Sequence, residues 1–298
     1  MAEFMIDFDF EAELNQEQDS VKSRLINEIK KELNDGTLEL PSMPDIALEI
    51  RAAINNENKS FDDISKLIQC DQGLSAYLMK VSNSALYARP VKAENIKMAL
   101  SRMGLETAKN LTSSYALKTL FNLREPLLKS LMHCIWERDV YSASLASIIA
   151  KRCNFDPDKA LMAGLLQDIG SLPVITKLKN YPEILADKKD SLHFVYSLAP
   201  TLTRMILENW EFGEEMLQVA DNFENWHYEH EGPADLTDLI LVARYHAYLG
   251  PGLTDELPGI HGVPAFKRLN LGEISLQNSL GFIESAREEI DSIQSLLM

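Results

Sequence analysis

The chain has 298 residues, 46% hydrophobic and 25% charged, the balance of a soluble globular protein with enough length for one large core or two ordinary ones. Its formal net charge of −16 repels phosphate backbones and anionic lipid, which disfavours non-specific binding to nucleic acid or a membrane surface. No apolar run approaches the ~20 residues of a membrane span, and Met1-Ala2-Glu3-Phe4, with no base before an apolar run, does not read as a secretory signal, so none is expected. Cys70, Cys134 and Cys153 are odd in number and form no C-x-x-C pair, so a reducing, cytoplasmic setting is expected.

Residues 1–20 form an arm with seven acids and no base. Phe4, Ile6, Phe8 and Phe10 alternate there with mainly acidic neighbours, a strand period that suits either a solvated arm or a hydrophobic hook. From Ser20 onward the period is helical. Val21, Leu25, Ile29 and Leu33 recur at i+4, and Gly36 supplies a stop. The prolines of Leu40-Pro41-Ser42-Met43-Pro44 mark a turn. Ile46, Ile50, Ala53 and Ile54 make the next stripe, and Ser60 with Asp63 forms a capping box. Stripes on Leu74, Tyr77, Leu78 and Val81, on Ile96, Ala99, Leu100 and Met103, and on Leu105, Ala108, Leu111 and Tyr115 complete a first helical bundle over residues 21–125.

Glu125-Pro126 marks the internal boundary. Beyond it Leu131, Ile135, Val140, Ala143, Leu145 and Ile149 predict long buried helices, and Asp156-Pro157 starts another with an N-cap acid and a first-turn proline. The segment Gly164-Leu165-Leu166-Gln167-Asp168-Ile169-Gly170 ends that helix. A second bundle is expected over 126–298, closing with an amphipathic helix on Leu280, Ile283, Ile290, Ile293 and Leu297. Its apolar face either packs on its own chain or forms the seam of a homodimer. No repeat of 20–50 residues occurs, so the expected class is all-α, built from two packed bundles.

Two segments together resemble the HDOD family, the HD-related output domain of bacterial signalling proteins. They are Asp71-Gln72-Gly73-Leu74-Ser75-Ala76-Tyr77-Leu78-Met79-Lys80-Val81-Ser82-Asn83-Ser84-Ala85-Leu86-Tyr87 and Ala160-Leu161-Met162-Ala163-Gly164-Leu165-Leu166-Gln167-Asp168-Ile169-Gly170. The Leu40–Pro44 turn and Met103-Gly104-Leu105 support the likeness, which covers roughly residues 38–250. It implies that the second bundle is similar to HD-superfamily phosphohydrolases. Catalytic members hold divalent metal through a His on one helix, a His-Asp pair on another and a later Asp. Carried onto this chain, those positions fall at Arg138, at Gln167-Asp168 and near Arg244, so Asp168 alone keeps the family's residue. Neutral Gln is a weak ligand and two arginines repel a cation, so the resemblance implies a vestigial site without metal, cofactor or catalytic residue. Asp168 is expected to pair with Arg138 or to cap a helix.

Other candidates are few. His227, His230 and Glu231 could share a helical face, a weak metal signal that Gly232-Pro233 interrupts. Neither a G-x-S-x-G elbow nor a phosphate loop is present, and Gly250-Pro251-Gly252 reads as a turn. Asn83, Ser84 and Tyr87 form either a helix terminator or a small ligand or docking surface. The expected function is a non-catalytic signalling or output module that binds a signalling protein or a small regulatory ligand. A metal-dependent phosphohydrolase with an atypical ligand set is the alternative. Phosphate sensing through Arg138 and Arg244 is a third reading.

Overall fold

A computed structural model describes residues 21–56, 58–84, 87, 89–121, 126–249, 257–271 and 276–297. The acidic arm, Glu125 and Gly250-Pro251-Gly252 lie outside those residues. Before residue 125 come α1 (Val21–Asn34), α2 (Asp45–Asn55), α3 (Phe61–Gln69), α4 (Gln72–Ser82), α5 (Ile96–Met103) and α6 (Leu105–Leu120). After it come α7 (Pro126–Cys153), α8 (Pro157–Leu166), α9 (Ser171–Leu178), α10 (Lys188–Asn209), α11 (Glu214–Asn222), α12 (Leu236–Tyr248), α13 (Pro264–Leu269), α14 (Leu276–Ser285) and α15 (Arg287–Leu297). Among the described residues there is no strand, and the fold is all-α. No described helix is long and apolar enough to cross a membrane.

The helix ends follow from local chemistry. Gly36 takes a φ of +66° just beyond α1, the left-handed geometry that glycine adopts without a Cβ penalty. The Ser60 side chain accepts from the Asp63 amide while the Asp63 carboxylate accepts from the Ser60 amide, a complete capping box for α3. Asp156 caps α8 through the amides of Asp158 and Lys159, with Pro157 in the first turn.

Helices α2 to α6 pack on one another as one bundle, while α7, α8 and α12 form the centre of the second, with α9 to α11 around them. The two meet where α6 packs on α8. Helix α1 precedes residue 125 but reaches across it: Lys22 pairs with Asp190 of α10 at 2.6 Å, and Lys177 of α9 pairs with Glu28 and Glu32 at 3.0 and 2.6 Å.

Two glycines set the spacing of the second bundle. A Cβ on Gly164 would stand 2.5 Å from Ala143 Cα, so α8 lies against the backbone of α7. A Cβ on Gly170 would stand 2.3 Å from the Ala199 carbonyl oxygen and 2.4 Å from the Thr203 amide of α10. These close approaches anchor both ends of the 164–170 segment.

The expected terminal amphipathic helix is broken into two at Ala286. Ala286, Ile290, Ile293 and Leu297 are buried, and α15 packs on α7, α4 and α6 of its own chain. That covers the α15 stripe in cis, in place of the dimer seam that its sequence left open.

Candidate functional site

The turn after α8 carries Gln167 and Asp168 into the interior, where α7, α12 and the segment just after α11 bring charged groups to meet them. Arg244 of α12 is fully buried and stands at the centre. Its Nη1 lies 3.3 Å from Asp168 Oδ2 and 4.0 Å from Asp139 Oδ1. Its Nε and Nη2 donate to Glu224 Oε1 at 3.2 and 2.5 Å, and Nη2 also reaches the Tyr248 hydroxyl at 3.2 Å. Tyr248 in turn donates to Glu224 Oε1 at 2.7 Å. Aromatic rings face the guanidinium as well: Phe223 at 4.7 Å, Tyr196 at 5.2 Å and Tyr248 at 5.3 Å from carbon to ring centroid.

Burial pulls a guanidinium towards losing its charge, but Tyr248, Glu224, Asp168 and Asp139 outweigh it here and hold the Arg244 pKa above the ordinary value. Asp139 moves the other way for a carboxylic acid. Burial, then the charge of Asp168 and a hydrogen bond to it, raise the Asp139 pKa well above the usual carboxylate range, against the pull of Arg244 and Arg138. The second enclosed carboxyl group beside it is, after burial, the main penalty on a charged Asp139. Gln167 completes the floor, its Nε2 donating to the Gly164 carbonyl at 2.7 Å and reaching Asp139 Oδ1 at 3.4 Å.

The sequence-predicted residues thus come together, with one change of partner. Asp168 was expected to pair with Arg138 or to cap a helix; its ion pair is with Arg244. Arg138 stands one position before the inward-facing Asp139 on α7. It lays its guanidinium over Tyr196 and Tyr248, at 4.2 and 4.7 Å from carbon to ring centroid. Its buried Nε and Nη2 find no acceptor among the described residues. Arg244 spends its donors on Glu224, Asp168 and Tyr248, which leaves little of it to hold a phosphate. Sequence reasoning missed Asp139, Glu224, Tyr196 and Tyr248. Asp139 carried a signal, since it lies four residues from both Ile135 and Ala143, on the apolar stripe of α7.

A divalent metal does not fit this donor set. An amide replaces the imidazole at Gln167, Asp139 is pushed towards its neutral form, and the Arg244 guanidinium stands among the carboxylates.

The remaining candidates are occupied by local structure. Asn83 Nδ2 donates to the Ala93 carbonyl at 3.0 Å, and its Oδ1 accepts from the Ala93 amide at 2.7 Å and from Arg102 at 3.1 Å. Ser84 donates to the Val81 carbonyl at 2.7 Å. Tyr87 donates to Asp158 at 3.0 Å, and Thr107 donates to the other oxygen of that carboxylate, tying the two bundles. His227 and His230 lie outside any helix, contrary to the shared helical face expected. His230 groups instead with Asp235 and Asp238, their ligating atoms within 4.8 Å of one another. Asp235 caps α12 there and Arg268 donates to Asp238 at 2.8 Å, so the group already holds a cation of its own.

Clefts open elsewhere on the surface. One of about 650 Å³ lies beside Glu28, Pro41 and Lys177, and one of about 380 Å³ beside Arg51, Lys109 and Phe212. None of the residues around Arg244 lines either cleft.

Comparison with known proteins agrees with this architecture. The family model of the HDOD domain matches residues 40–225. The structure superposes on a candidate metal-dependent phosphohydrolase of Shewanella amazonensis with a TM-score of 0.77 and 25% identity, covering 93% of this chain and 99% of that one. An HDOD domain protein of unknown function from Geobacter sulfurreducens superposes with a TM-score of 0.68 and 20% identity, over 94% and 99% of the two chains. An uncharacterised protein of Treponema pallidum is 30% identical over 152 residues, 49% of this chain. The match spans 28% of that protein's length.

Proposed function

The chain belongs to the HDOD family, and from that premise we propose that it is a non-catalytic signalling module that binds a protein partner or a small regulatory ligand. One observation carries the reading: Arg244 stands fully buried between Asp168, Asp139 and Glu224, where the HD resemblance would place a metal. A protein that turned over phosphate esters there would need a Lewis acid and an activated water. Here the carboxylates are instead matched to a fixed side-chain cation. The helices that carry an active centre in the enzymes then serve as a rigid scaffold. Their exposed surfaces, and the clefts beside Lys177 and Arg51, are what remains available to a partner.

The likeness to a candidate phosphohydrolase makes turnover the reading to test against. Metal analysis of purified protein, with hydrolysis of a generic phosphomonoester and phosphodiester, separates the two. The proposal expects no stoichiometric transition metal and no metal-stimulated hydrolysis. Turnover that Asp168→Asn abolishes in a folded protein would end it. A pull-down from native lysate then identifies the partner.

A further inference from the structure

The mismatch with a metal has a positive side. Carboxylate oxygens of Glu224 at 2.5 Å and Asp168 at 3.3 Å accept from N–H groups of the Arg244 guanidinium, and a carboxyl oxygen of Asp139 lies 4.0 Å away. Phe223, Tyr196 and Tyr248 present rings to it between 4.7 and 5.3 Å. Carboxylates on the N–H groups and aromatic rings close about the ion suit a planar, delocalised, weakly hydrated cation. A divalent ion such as magnesium or manganese asks for a near-octahedral shell of oxygens and gives up its water reluctantly. Three aromatic rings supply no such shell.

We infer that this chamber is a receptor for a guanidinium-type cation, filled in cis by Arg244 and selective against divalent metal. The inference rests on the non-catalytic reading above and names what the altered site recognises. Arg244 acts as the ligand of its own receptor, drawing together the end of α11, the turn after α8 and, more loosely, α7. Removing the side chain while keeping its surroundings leaves a site of matching shape and charge for the free ion.

The test uses the full chain carrying Arg244→Ala, followed by thermal unfolding and helical circular dichroism. Guanidinium chloride at millimolar concentrations is the probe, with sodium chloride, urea and manganese chloride as comparisons. The variant should melt below wild type, and guanidinium should raise its midpoint saturably by a few degrees, as mass action requires of a ligand that binds only the folded state. Wild type, whose chamber is filled, should show no such rise. In Arg244→Ala combined with Asp168→Asn the response should weaken. Should Arg244→Ala be unfolded alone, guanidinium should restore its helical signal. Absence of any guanidinium response, or a rise with manganese equal to that with guanidinium, overturns the inference. Manganese binding by wild type with phosphoesterase turnover, lost in Asp168→Asn, would defeat the non-catalytic reading instead. The wild-type and variant arms therefore report on the two claims separately.

Discussion

Arg244 and Asp168, seventy-six residues apart, meet at 3.3 Å with both side chains fully buried. Removing Arg244 would leave the Asp168 charge enclosed, whereas removing Asp168 leaves Arg244 with Glu224 at 2.5 Å. Asp168→Ala should accordingly lower stability, by less than the cost of a wholly unpaired buried charge, about 3–5 kcal/mol. Urea unfolding followed by circular dichroism measures it. A loss below about 1 kcal/mol, within the range of an exposed pair, would show that the contact does not hold the bundle together.

Asp139 predicts the opposite response from the same cluster. Its raised pKa means that the folded state keeps a proton that the unfolded chain releases above the ordinary aspartate value. Stability tied to this group therefore falls as pH rises from about 4 towards the folded pKa, because the native state binds more protons. Asp139→Asn, a neutral stand-in for the protonated acid, should abolish that slope and leave stability at neutral pH equal or higher. Unfolding measured from pH 4 to pH 8 checks it. A variant that is markedly less stable than wild type at pH 7 would show that Asp139 works as an anion.

The helices were readable from the chain because their signals are local. Gly36, the Ser60–Asp63 box and Asp156-Pro157 each act within a turn of where they stand. The core of the site was only half readable for the opposite reason. Asp168 and Arg244 could be placed by resemblance, whereas Glu224 follows α11 in a segment with no helical period, and only the fold brings it to Arg244. On α7 the resemblance named Arg138, which stacks on Tyr196 and Tyr248 beside the site, but not the adjacent Asp139, whose carboxyl group lies 4.0 Å from Arg244. The single-helix reading of the C-terminus failed at Ala286, since apolar spacing persists across a break that it does not encode.

His230 offers a pH response of another kind. Its hydrogen bond to Asp238, at 2.9 Å, raises its pKa above the ordinary histidine value. Below about pH 6.5 the ring is charged in both folded and unfolded chains, and its contact contributes in full. As pH climbs through the folded pKa the proton leaves and the contribution goes with it. His230→Gln should thus cost stability at pH 6 and almost none at pH 9. Equal costs at the two values would mean that the ring acts through packing alone.

The 164–170 segment yields a prediction that does not depend on charge. Gly170 donates its amide to Thr203 Oγ1 at 2.9 Å, and the space beside its Cα is filled by the backbone of α10. Pro200 in that helix has no amide to donate, which leaves the Tyr196 carbonyl without its usual helical partner and favours a local bend. Gly170 packs against this stretch, and the ring of Tyr196 faces Arg244 from it. Gly170→Ala must push α10 away, because a methyl cannot stand 2.3 Å from a carbonyl oxygen and backbone yields less readily than a side-chain tip. The expected loss is about 1–3 kcal/mol, the range for overpacking a filled interior. The displacement also moves Tyr196 off the guanidinium, so Gly170→Ala and Arg244→Ala should be less than additive in combination. Thermal unfolding of the two single variants and the double variant measures the coupling. Strict additivity would show that the glycine contact and the buried cation are independent.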